Sequence, residues 1–201
     1  MANLKVQNNL TVNGDIINNK MDYQLDQTIT VTNQSKIFIP VNFNKYDYKL
    51  VMLLAPNQTE HNTSMRVAVD GNIINSLDRW MYNGIQTKNA NHVFDLTGYT
   101  HSTSSNGYMY LCDNGDAVGR HTNINLEITW QRDTDSTLVC QGKSTRTYKT
   151  SFAQWDITGI IYNESKLFPN QLVVTSANMA DTNLLNGYIR VYKRLAFGQT
   201  E

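Results

Sequence analysis

Ile124-Asn125-Leu126-Glu127-Ile128-Thr129-Trp130-Gln131 places apolar side chains on four alternate positions with polar ones between them. Successive side chains of a strand point to opposite faces, so a period of two describes a ladder with one buried and one wetted face. Trp130 falls on the buried side of that ladder, which makes it a core residue and not a free aromatic platform. The charged stretch Gln131-Arg132-Asp133-Thr134-Asp135-Ser136 then reads as a hairpin connection to the next strand.

The same grammar extends in both directions. β-Branched and aromatic residues cluster in short runs separated by Asn, Asp, Gly and Ser, with only three prolines and few segments of helical period. Strands are expected at 36–41, 48–54, 65–69, 93–96, 108–112, 124–131, 138–141, 146–152, 157–162, 172–175 and 187–195. Trp155 and Ile157 share a face, and residues 184–186 leave room for a short helix. So many short strands joined by turns describe an all-β chain, a β-sandwich or jelly roll. The length, 201 residues, is that of one domain with an appendage.

Charge excludes several ways of life. Lys plus Arg and Asp plus Glu both number 17, and the pI is near 6.9, so no long-range field draws in nucleic acid or an anionic membrane. Solubility rests instead on uncharged groups, chiefly 25 Asn and 21 Thr. Residues 1–10 lack the basic start and apolar core of a secretory signal, and no apolar run approaches the roughly 20 residues that span a bilayer. A product of the cytosol without membrane insertion is expected. Cys112 and Cys140 lie on strand-like runs without C-x-x-C spacing, which describes two reduced core thiols.

The N-terminal segment has its own pattern. Leu4, Val6, Leu10, Val12 and Ile16 occupy even positions, with polar residues on the odd ones. Read as one straight strand of about 13 residues it would span about 43 Å, too long for the sheet of this domain to cover. Its apolar edge would then be met by identical strands of neighbouring chains, making residues 1–22 an oligomerising β arm ahead of a domain at 23–201. The alternative is a hairpin at Asn13-Gly14, pairing Val12 with Asp15 and Leu10 with Ile17. That turn would set Asp15 among apolar residues, so the pattern favours the straight strand. Val12-Asn13-Gly14-Asp15-Ile16-Ile17-Asn18 recurs in altered form as Val69-Asp70-Gly71-Asn72-Ile73-Ile74-Asn75, two turns each followed by a β-branched pair.

Asn9-Leu10-Thr11-Val12-Asn13-Gly14-Asp15-Ile16 resembles the N-L-T-V-N-G-x-I phrase of tailed-bacteriophage fibre and spike proteins, whose segments of this kind wind as trimeric β-structure ahead of a globular tip. The richness in Asn, Thr, Ser and Tyr is similar to virion appendage proteins as well. The resemblance implies a homotrimeric structural or adhesive component of a virion, made in the host cytoplasm, with other virion proteins as partners and a host-surface glycan as a further one.

Chemistry is sparse. No G-x-S-x-G, H-E-x-x-H, P-loop or G-x-G-x-x-G occurs, and His61, His92, His101 and His121 are scattered, so neither a metal nor a cofactor is expected. Asp113-Asn114-Gly115-Asp116 reads as a turn, since it lacks the ligand series of a calcium loop. Glu127, Asp133, Asp135, Asp156 and Glu164 show no pairing that would mark a glycosidase.

Binding asks for less, because sugar rings present C–H patches to flat aromatic faces and hydroxyls to polar arms. Asp78-Arg79-Trp80-Met81-Tyr82-Asn83-Gly84 breaks the strand period and offers Trp80 and Tyr82 beside Arg79 as a recognition loop. The small and polar stretch 97–107 supplies Tyr99 and His101 as a second loop. The expectation is a non-enzymatic virion appendage protein that trimerises through its arm; the alternatives are a monomeric carbohydrate-binding module and, on the same scaffold, a glycan depolymerase.

Overall fold

A computed structural model describes residues 9–12, 15–18, 22–57, 63–74, 79–90, 93–103, 109–112, 121–131, 137–148, 151–162, 168–176, 183–196 and 198–199. Its strands are β1 (Asn9–Val12), β2 (Asp15–Asn18), β3 (Gln24–Gln34), β4 (Lys36–Pro40), β5 (Tyr46–Pro56), β6 (Thr63–Val69), β7 (Asn72–Ile73) and β8 (Arg79–Ala90). They continue as β9 (Val93–Thr103), β10 (Met109–Cys112), β11 (Thr122–Gln131), β12 (Thr137–Tyr148), β13 (Ser151–Tyr162), β14 (Gln171–Ser176) and β15 (Leu185–Leu195). There is no helix among the described residues; 184–186 leads directly into β15.

Two antiparallel sheets pack together as a β-sandwich. The larger has eight strands in the order β3-β15-β5-β11-β12-β13-β8-β9, and the smaller has the order β10-β6-β14-β4 with β7 paired to β6. The chain crosses repeatedly between them: β4, β6, β10 and β14 each leave the large sheet and return to it. Each sheet therefore holds strands distant in sequence, and neither can complete its core side alone.

The period of two in β11 sets the pattern. Ile124, Leu126, Ile128 and Trp130 are buried, while Asn125, Glu127 and Gln131 are exposed. Pairing on β5 aligns Ile124 with Met52, Leu126 with Leu50 and Ile128 with Tyr48, all buried. On the other flank Ile128 meets Cys140 and Trp130 meets Leu138. Ile37, Ile39, Met65, Val67, Leu172 and Val174 close the core from the small sheet. Strands β6 and β14 are buried on both faces, so the small sheet has no wetted side along them, whereas the large sheet keeps one. Cys112 and Cys140 are both buried thiols outside any disulfide, as expected, and burial pushes both thiols up.

Gly159 and Gly142 fix two close approaches. A Cβ at Gly159 would strike Met109 Sδ, so β10 rests directly on the backbone of β13. A Cβ at Gly142 would strike the carbonyl oxygen of Asn125 on the neighbouring strand.

The N-terminal segment departs from the straight strand. Strands β1 and β2 pair antiparallel, Asn9 with Asn18, Leu10 with Ile17, Thr11 with Ile16 and Val12 with Asp15. Ile16 thus stands opposite Thr11, out of the row that Leu10 and Val12 occupy. The reason is physical: a solitary strand leaves its backbone groups without partners, and antiparallel pairing of the two segments supplies partners from the same chain. The recurrent phrase adopts the same register, since β6 and β7 close with Val69 opposite Asn72. There Asp70 and Gly71 both have positive φ, 49° and 82°, as a two-residue hairpin turn requires. Leu4 and Val6 lie outside the described residues.

Candidate functional site

The outer face of the eight-stranded sheet carries exposed and half-exposed residues along β3, β15, β5 and β11. Antiparallel register sets its residues in rows. One runs Leu25, Tyr192, Lys49, Glu127, Gln141 and Thr158; the next runs Thr28, Arg190, Val51, Asn125, Lys143 and Asp156. A third carries Thr30, Tyr188, Leu53, Asn123, Thr145 and Gln154. Ile189 and Val191, between these positions on β15, are fully buried, which fixes Tyr188, Arg190 and Tyr192 on the outside.

The face has two halves. Over β11, β12 and β13 lies an open depression of about 500 Å³, lined by Asn125, Glu127, Gln141, Gly142, Lys143, Asp156, Ile157 and Thr158. Amides, hydroxyls and charges of both signs converge there. Over β3, β15 and β5 the half-buried rings of Tyr188 and Tyr192 and the apolar Val51 and Leu53 share the surface with Arg190 and Lys49, and Leu25 is 57% exposed. An aromatic half beside a polar half is what an amphipathic ligand such as a sugar requires.

Ion pairs clasp neighbouring strands across this sheet. Lys49 lies 3.5 Å from Glu127, Lys143 lies 3.6 Å from Asp156, and Arg194 Nε lies 3.6 Å from the buried Asp47. Lys193 meets Asp26 at 2.6 Å, and that bond raises the ammonium pKa. Glu127 and Asp156, two of the carboxylates weighed for glycoside cleavage, do share the depression. Their side chains are 48% and 44% exposed, and each is held by a lysine.

Tyr23 closes one end of the face. Its ring lies 4.6 Å from the Arg194 guanidinium and 5.9 Å from the Lys49 ammonium, tying the chain ahead of β3 onto the sheet. Burial pushes its phenol up to about 12, against the opposing pull of Arg194.

The residues expected to recognise ligand are placed differently. The stretch beginning at Arg79 is not a loop: it opens β8, hydrogen-bonded on one side to β13 and on the other to β9. The second loop is largely strand as well, since β9 runs to Thr103 and contains Tyr99 and His101. Pairing along the whole of both strands outweighs their weak alternation and high polarity. The register does bring these residues together, with Tyr82 opposite His101, Trp80 opposite Thr103 and Tyr99 opposite Gly84. On β13 their row continues into Ile161, Gly159 and Ile157, the row whose Ile157 is buried in the core. Arg79 stands opposite Tyr162, in the alternate row. Residues 113–116 and the histidines at 61 and 92 lie outside the described residues, and His121 is exposed. Among the described residues no three His, Cys, Asp or Glu side chains are grouped as a metal site would need.

Tyr188-Ile189-Arg190-Val191-Tyr192 was the signal for the outer face. The core claims Ile189 and Val191, so two tyrosines on the other positions of one strand already denote an aromatic row facing away from it. No protein-family model, curated protein or solved structure matches the chain.

Proposed function

We propose that this chain is a non-catalytic binding component of a virion appendage, which holds a surface glycan on the outer face of its large sheet. The observation that carries the binding reading is the pairing of Tyr188 and Tyr192 with the polar depression on one continuous sheet face. Eight hydrogen-bonded strands make that face rigid, so little ordering entropy opposes binding. The appendage reading comes from the resemblance of residues 9–16 to phage fibre and spike proteins. Three such faces on one homotrimer would raise effective concentration, so each could bind weakly and the whole still adhere.

The β1–β2 hairpin favours a second reading. A segment that satisfies its backbone internally has less need of neighbouring chains, and the domain then works as a monomeric carbohydrate-binding module. Light scattering on a sizing column separates the two: the appendage predicts about three times 22.9 kDa and the module predicts that mass once. Incubating the full chain with an array of surface glycans, and analysing the supernatant by mass spectrometry, tests the shared claim. Retention on glycan without released fragments supports it, and released fragments would establish a depolymerase instead.

A further inference from the structure

Among the described residues, four ion pairs join cations of the large sheet to carboxylates on neighbouring strands. Lys49 is paired with Glu127, Lys143 with Asp156, Lys193 with Asp26 and Arg194 with Asp47. Arg190 belongs to none of these pairs, and its cross-strand neighbours, Thr28 and Val51, carry no charge. Its side chain is exposed and rests against the Tyr188 ring, 5.3 Å from the centroid. Stacking of this kind restrains a guanidinium while leaving its N–H donors free to bond outward. Tyr192 lies two residues further along the same face, about 7 Å away, the span of one pyranose ring with an exocyclic carboxylate.

The geometry points to an acidic saccharide as the ligand: a sugar whose C–H face lies on Tyr192 and whose carboxylate takes two parallel hydrogen bonds from Arg190. The bidentate match of guanidinium and carboxylate supplies both charge and direction, which an ammonium at that position would not. The polar depression across β11–β13 then receives the hydroxyls of the neighbouring ring. This inference rests on the glycan-binding reading of the outer face, and its test is built to fail separately from that reading.

The test is an array of surface glycans printed as matched pairs, each uronic-acid or sialic-acid glycan beside its carboxyl-reduced counterpart, probed with the full chain and with Arg190→Gln. The expected result is at least tenfold stronger retention on acidic members, reduced to equal retention in Arg190→Gln, with Arg190→Lys intermediate. Retention on the reduced members also reports that the variants are folded. Equal retention of the wild-type chain on both members of each pair overturns the acidic-sugar inference and leaves glycan binding standing. Absence of retention on every member overturns both.

Discussion

Tyr23 is a phenol held between two cations, with its hydroxyl buried and without a hydrogen-bond partner. Its folded-state pKa of about 12 stands above the ordinary value of 10.0. The folded chain therefore holds this proton more tightly than the unfolded chain. The resulting stability is complete below pH 10 and is lost as pH rises through about 12. Tyr23→Phe keeps the ring over Arg194 and removes the unsatisfied hydroxyl, so urea midpoints at pH 7 should be unchanged or higher. The same variant should lack the part of the alkaline decline that belongs to this group. The glycines make a second contrast. Gly159→Ala presses on Met109, a flexible side chain, and should cost roughly 1–3 kcal/mol. Gly142→Ala presses on the Asn125 carbonyl, which cannot move without breaking the β11–β12 ladder, and should cost more by the same urea measurement.

At the scale of elements, the hairpin between β6 and β7 shows how a turn is fixed from outside. Asn170 Oδ1 accepts from the Asp70 amide at 3.0 Å, Asn170 Nδ2 donates to Asp70 Oδ1 at 2.6 Å, and Gln171 Oε1 accepts from the Gly71 amide at 2.7 Å. The Asn170 backbone also bridges the sheet, donating to Ala68 and accepting from Val41. Asn170→Ala removes two of these side-chain bonds at an exposed turn and should lower stability by about 1 kcal/mol, read by denaturant midpoint. By comparison Glu127→Gln, which breaks a half-exposed ion pair with Lys49, should cost less than about 1 kcal/mol. Strands whose core side is apolar, β11 above all, were legible because burial itself writes the period of two. Strand β8 was not, and of β9 only the start, 93–96, was. Arg79-Trp80-Met81-Tyr82-Asn83-Gly84 carries no alternation, and its pairing on one side comes from β13, some eighty residues away. The β1–β2 hairpin was legible and was outweighed: Asn13-Gly14 named the turn, while the even-numbered apolar positions argued for a straight strand.

For the whole molecule, the two-sheet sandwich follows from composition and punctuation, but the position of the open face does not. That depends on which strands meet and which sheet retains a wetted side. Tyr188 and Tyr192 come from β15, Val51 and Leu53 from β5, and the depression from β11, β12 and β13, brought together by pairing alone. Trp80 and Tyr82 stand out in the sequence because they are aromatic residues in a stretch without alternation, whereas tyrosines inside a regular strand read as structure. The central claim is that ligand is held on the outer face of the large sheet. Its most direct test compares glycan-array retention of the full chain with that of Tyr188→Ala/Tyr192→Ala. Loss of about tenfold per ring, about 1.4 kcal/mol each, with the sandwich still folded by near-UV circular dichroism, is the predicted result. Undiminished retention by the folded double variant would contradict the claim and move the binding surface elsewhere on the molecule.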